Sequence, residues 1–252
     1  MTRPLLRFTI AFLVVAGLTG VAPAAHASEL APVEGYGTLV ALSRDDTGPA
    51  VIRLQYTLAG LGMYHGPISG RYDEQTEFAV RTFHAYLGLE PTYEFGALDW
   101  IRLDFMPSDP GIPMWRDEPD RVEVDIGRQL LFVVRNNEVA GILPISSGGG
   151  YVYPSPLFRR DKLAWTPRGD FTLDWHQLGW SCLPTCVYKY WAFTPYYGIH
   201  GYPDVPNRPV SHGCVRITTR DSRWVEPLLF VGMPMHVWDV PPEPTPAPQP
   251  RH

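Results

Sequence analysis

The chain has 252 residues, a formal net charge of −5, and 45% hydrophobic and 13% aromatic residues. That length holds one medium domain plus a small one, and that apolar share requires a packed body, which excludes a disordered chain. The acidic balance argues against phosphate-backbone binding, so nucleic acid is not an expected partner.

Arg3 and Arg7 precede an apolar run from Phe8 to Val21, and Ala25-His26-Ala27 stands just before Ser28. This is the order of a secretory signal peptide, with a basic start, an apolar middle and a small-residue cleavage site. The run is short for a bilayer span, and no later segment is long and apolar enough to insert. A signal peptide is therefore expected over 1–27, with a mature protein of net charge −7 that acts outside the cytoplasm, secreted, periplasmic or wall-associated, without an integral membrane segment. Residues 28–47 form an N-terminal segment with no assigned element.

Residues 48–105 read as a small three-helix unit. Val51, Leu54, Leu58 and Leu61 recur at helical spacing until Gly62, Gly66-Pro67 and Gly70 interrupt them. Asp73 is placed to cap a second helix with Glu74 and Glu77 in its first turn, an inward stripe of Ala79, Phe83 and Leu87, and a stop at Gly88. Ala97 to Leu103 makes a third, short helix. Leu54, Leu58, Phe78, Phe83, Leu87 and Trp100 are the expected mini-core, marginal alone and adequate when docked on a neighbour. A linker rich in Pro and Asp follows at 106–118.

Beyond it the period becomes two. Val122, Val124 and Ile126 alternate with Arg121, Glu123 and Asp125, and Gly127-Arg128 turns the chain into Leu130 to Val134, which reads as a β-hairpin. Asn136-Asn137 makes the next turn, and Val139 to Ile145 a third strand whose Pro144 marks an edge or a strand end. Short strands are expected at Phe171 to Leu173, Tyr190 to Phe193 and Met235 to Val240, with a helix over Asp221 to Leu229. A mostly-β domain over 119–240 results, and the fold class is α+β. The Pro-rich stretch at 241–252 has almost nothing apolar to bury and reads as an extended tail.

The chemistry gathers in Ile199-His200-Gly201 and Ser211-His212-Gly213-Cys214-Val215-Arg216. Of three cysteines, Cys182 and Cys186 are close enough for a short-loop disulfide, with free thiols as the alternative, and Cys214 is left without a local partner. A thiolate is the nucleophile, so a working Cys214 needs a base or a positive field. His200 is favoured over His212 as that base because it comes from a separate strand end, with the Gly201 carbonyl available to orient its other ring nitrogen. The amides of Gly213 and Cys214 are the candidate oxyanion hole, and Arg216 a planar cation for a carboxylate. Cys182, Cys186, His200, His212, Cys214 and His236 are possible metal ligands, but no regular His pair completes a zinc pattern. Neither a metal nor a cofactor is expected.

Two resemblances sharpen this reading. Val51-Ile52-Arg53-Leu54-Gln55, Gly66-Pro67-Ile68-Ser69-Gly70-Arg71-Tyr72-Asp73 and Ala79-Val80-Arg81-Thr82-Phe83 resemble the peptidoglycan-binding-like helical domain of wall enzymes. Tyr197-Gly198-Ile199-His200-Gly201 and Arg208-Pro209-Val210-Ser211-His212-Gly213-Cys214-Val215-Arg216, with Val124-Asp125-Ile126-Gly127-Arg128-Gln129-Leu130 and Thr166-Pro167-Arg168-Gly169-Asp170-Phe171, resemble the L,D-transpeptidase (YkuD-like) catalytic domain. The resemblance implies Cys214 as nucleophile, His200 as base, and Gly201, His212 and Gly213 as catalytic-site residues, with Arg216, Ser211 and Tyr197 toward the substrate. It also implies a peptidoglycan tetrapeptide stem as substrate, cut between diaminopimelate and D-Ala through a thioester that an amine resolves. L,D-carboxypeptidation and non-catalytic wall binding are the alternatives, and a monomer is expected. Residues 174–197 are more aromatic than the family pattern, either as a cleft wall that stacks on glycan or peptide or as core.

Overall fold

The computed structural model describes residues 39–107, 118–155, 158–182 and 185–239. The expected signal peptide and Pro-rich tail, and most of the linker, lie outside the described residues.

Helix α1 (Pro49–Gly60) begins on Pro49, whose ring presets the helical φ where no N–H partner is needed. Helix α2 (Glu74–Tyr86) is capped by Asp73, whose carboxylate accepts the Thr76 N–H at 3.0 Å. Helix α3 (Ala97–Asp104) completes the set of three. The expected stripe holds at Ala79 and Phe83, both buried, but Leu87 is exposed because it caps α2 just before Gly88 turns the chain at a φ of 68°.

The remaining strands are β1 (Arg121–Asp125), β2 (Leu130–Arg135), β3 (Glu138–Pro144), β4 (Val152–Ser155), β5 (Arg160–Leu163), β6 (Gly169–Thr172), β7 (Trp175–Cys182), β8 (Cys186–Ala192), β9 (Gly198–Tyr202), β10 (Val215–Thr218) and β11 (Pro234–Trp238). Helix α4 (Thr219–Val225) and a 3₁₀ turn at Glu226–Leu228 lie between the last two. Five strands form one sheet in the order β3-β2-β1-β11-β6, four form a second in the order β10-β9-β8-β7, and β4 and β5 pair as a hairpin. The β2–β3 turn uses Asn136 and Asn137 at φ of 54° and 63°, as its sequence predicts.

The run Leu130-Leu131-Phe132-Val133 is apolar on both faces because β2 is buried on both. Leu130 and Phe132 join Ile142 and the helices' Val51, Leu54, Leu58, Phe83 and Trp100 in one core. Leu131 and Val133 face the other way, into a core shared with Trp191, Ile199, Val215 and Ile217 of the second sheet. Each such side chain contributes about 1.5–3 kcal/mol on full burial, so the helical unit completes its core on the five-stranded sheet and not within itself. The alternation in β1 does not mark a wet face. Arg121, Glu123 and Asp125 are buried too, because β1 is central, and Arg121 pairs with Glu123 at 2.6 Å.

Candidate active site

Strands β9 and β10 are parallel, so the chain must run back the length of the sheet between them, and residues 203–214 are that return. The register sets Ile199 opposite Val215, His200 opposite Arg216 and Gly201 opposite Ile217. Ile199, Val215 and Ile217 are buried in the core, so the alternate residues His200, Tyr202 and Arg216, with Cys214 just before β10, share the other face.

Rings cross that face in a row. Trp175 lies 5.2 Å from Tyr190, Tyr190 stacks 6.0 Å from His200, His200 meets Tyr202 at 5.9 Å, and the Arg216 guanidinium lies 4.2 Å from the Tyr202 ring. Gly198 is required there, since a Cβ on it would overlap the Tyr190 ring.

His200 is buried, and its Nδ1 stands 3.1 Å from the Gly201 carbonyl. A carbonyl only accepts, so Nδ1 carries the proton and Nε2 is the basic nitrogen. Burial lowers the His200 pKa to about 4, with the Arg216 charge acting in the same sense, so the ring is neutral near pH 7. Gly201 has no side chain because Ser222 of α4 packs where a Cβ would stand.

Cys214 is free, and Cys182 and Cys186 are disulfide-bonded. Burial pushes the Cys214 thiol up, while the Gly198 N–H, the Arg216 charge and the Tyr190 hydroxyl pull it back. The resting pair is therefore thiol and neutral imidazole. The structure brings His200 and Cys214 to one face of adjacent strands, with no hydrogen bond between them among the described residues. Such bonds in unliganded enzymes are often long and tighten only with substrate.

The loop before Cys214 is fixed from within. The Ser211 hydroxyl donates to the Cys214 carbonyl at 2.6 Å and accepts the Gly213 N–H at 3.0 Å. The Gly213 N–H, a candidate oxyanion donor, is thus engaged by the Ser211 hydroxyl, and Ser211 is buried within the loop. Gly213 sits at a φ of 138°, and a Cβ there would overlap the Tyr197 ring, so both residues form the tight wall behind Cys214. His212 is exposed and stacks flat on Tyr153 of β4 at 4.0 Å.

The sequence places Tyr190 at the start of a short strand within an aromatic stretch and gives it no role. Its position against the sulfur depends on an irregularity in β8, where pairing to β9 shifts between Tyr188 and Trp191 and Lys189 takes a φ of 50°. The aromatic stretch itself divides: Trp191 and Phe193 are core, whereas Trp175, Trp180 and Tyr196 are exposed.

Among the described residues no cluster of His, Cys, Asp and Glu is arranged to hold a metal ion, and no helix is long and apolar enough to cross a membrane. Residues 119–237 match the family model of the L,D-transpeptidase catalytic domain, and residues 47–99 that of a putative peptidoglycan binding domain. An L,D-transpeptidase structure from Xylanimonas cellulosilytica is 30% identical, with a TM-score of 0.71 over 78% of this chain and 97% of that one. Another from Stackebrandtia nassauensis is 19% identical with a TM-score of 0.46, over 80% of this chain and 96% of that one. A protein from the bpoA1 3′ region of Kitasatospora aureofaciens is 39% identical over 75 residues, which are 29% of this chain and 64% of that protein. The chain thus spans a little under two thirds of the curated relative it matches. With its mostly-β domain matched in sequence and in fold, and a helical domain of the wall-binding type ahead of it, this chain belongs to the L,D-transpeptidase family.

Proposed function

We propose that the protein is a peptidoglycan L,D-transpeptidase acting outside the cytoplasm, with Cys214 as nucleophile and His200 as base. The single observation that carries the reading is the β9–β10 register, which sets a free thiol, a neutral imidazole and a guanidinium on one face. Cys214 attacks the carbonyl of the diaminopimelate residue in a tetrapeptide stem while His200 Nε2 takes the thiol proton. The tetrahedral intermediate collapses to a thioester as the C–N bond breaks, and the imidazolium returns the proton to the departing D-Ala amine. An amine of a second stem then attacks the thioester, loses a proton to Nε2, and releases the thiol, which recovers its proton.

The Tyr190 hydroxyl and Gly198 N–H stabilise negative charge on the sulfur, and the Cys214 N–H is the candidate donor to the oxyanion. Arg216, fixed over Tyr202, supplies a positive field for a substrate carboxylate. Incubation of the mature protein with a disaccharide-tetrapeptide, followed by mass analysis, tests the reading. Dimers lacking one D-Ala are expected, and none with Cys214→Ala. Tripeptide alone would mean that water is the acceptor and the enzyme an L,D-carboxypeptidase, and unchanged substrate would reject both activities.

A further inference from the structure

A cation in the middle of a helix ordinarily faces water, but Arg81 of α2 is 1% exposed. Its guanidinium makes no ion pair among the described residues and donates instead to three carbonyls far away in sequence. Nη1 reaches Val205 at 2.6 Å, and Nη2 reaches Ile145 at 2.7 Å and Pro206 at 2.9 Å. Desolvating a guanidinium is costly, so three charge-assisted bonds to backbone are needed to hold it there.

The atoms it joins flank the site. Val205 and Pro206 lie in the return between the His200 strand and Cys214. Ile145 is followed by Ser146, whose backbone pairs with Arg216 in both directions at 3.0 Å, and by Ser147, whose carbonyl takes the Ser211 N–H at 2.8 Å. The Ser146 hydroxyl donates to the Arg208 carbonyl at 2.7 Å. A second tie runs from the same loop to the helical unit, from Asn207 Nδ2 to the Pro91 carbonyl at 2.9 Å.

We propose that Arg81 is a positioning residue for acyl transfer: from the helical domain it locks the 203–210 return to the end of β3 and so sets the placement of Cys214 relative to His200. The helical domain is then a structural part of the catalytic centre, whatever it binds. This rests on Cys214 and His200 forming the reacting pair. Only a forked donor spans three carbonyls in two segments, so lysine is a poor substitute.

The test uses the full chain, a soluble disaccharide-tetrapeptide that needs no wall targeting, and hydrogen exchange over residues 203–216. Arg81→Met is expected to lower kcat tenfold or more with KM within twofold, and to speed exchange in the loop by a similar factor. Arg81→Lys should lose three- to tenfold in kcat. A folded Arg81→Met with kcat within twofold of the parent overturns the proposal, whatever its exchange. If Arg81→Met does not fold, Asn207→Ala decides: a two- to fivefold loss in kcat supports the tie, and unchanged kcat refutes it. Should the parent protein leave the fragment untouched, the acyl-transfer reading fails on its own, and unaltered loop exchange in Arg81→Met then overturns the strut separately.

Discussion

One face of the four-stranded sheet is an ordinary core, built of Trp191, Ile199, Val215 and Ile217 against Val124, Leu131 and Leu143. The other face, one residue away along each strand, carries Tyr190, His200, Tyr202, Cys214 and Arg216. The first is buried throughout, whereas on the second only His200 is fully buried and the others are half-buried. There, burial shifts His200 and Cys214 away from charge, which keeps the imidazole and the thiol neutral.

The contrast is broken most strongly on the core face. Trp191→Ala is expected to cost about 3–5 kcal/mol in urea unfolding, because the ring is buried and stacks on His176 at 3.8 Å. Trp180→Ala on the same hairpin, half exposed, should change stability by less than about 0.5 kcal/mol, so equal losses in the two variants would refute the division of the aromatic stretch.

Next in size is a pH effect from the site face. The His200 pKa falls from 6.5 in the unfolded chain to about 4 in the fold, so the unfolded chain binds the proton first as pH drops. Stability should be full above pH 6.5 and decline as pH falls toward 4, by about 3 kcal/mol from this residue. His65, half-buried and stacked on Trp224 at 3.6 Å, is also lowered to about 4 and acts in the same sense. Unfolding curves at pH 7 and 4.5 should therefore differ less in His200→Gln than in the parent, and an equal difference would refute a buried neutral ring. Smaller still, Tyr190→Phe removes the hydroxyl that draws the Cys214 thiol toward ionisation, and a hydrogen bond to a charged acceptor is worth about 1.5–3 kcal/mol. The rate of Cys214 acylation should fall about ten- to a hundredfold with little change in melting temperature, and an unaltered rate would remove Tyr190 from the site.

Features specified within a few residues were legible in the sequence. The Asp73 cap, the Asn136-Asn137 turn, the Gly201 carbonyl on His200 and the odd thiol at 214 each follow from local chemistry, and each is where the sequence put it. Features that depend on a distant partner were not. The polar residues of β1 alternate as though one face were wet, but the strand is flanked by β2 and β11 and covered on both sides. Gly213 offers an amide on paper, and the Ser211 hydroxyl takes it in space.

By itself the sequence determined that a thiol and two imidazoles lie in adjoining stretches of a mostly-β domain behind a small helical one, because short spacings, caps and turns act through bonds along the chain. Tertiary structure alone decided that His200 stands opposite Arg216, that the Tyr190 hydroxyl acts on Cys214, and that Arg81 is buried. Those outcomes follow from strand register, a bulge, and a core completed between two units, where partners lie as far apart as the 124 positions between Arg81 and Val205, and no local pattern encodes them.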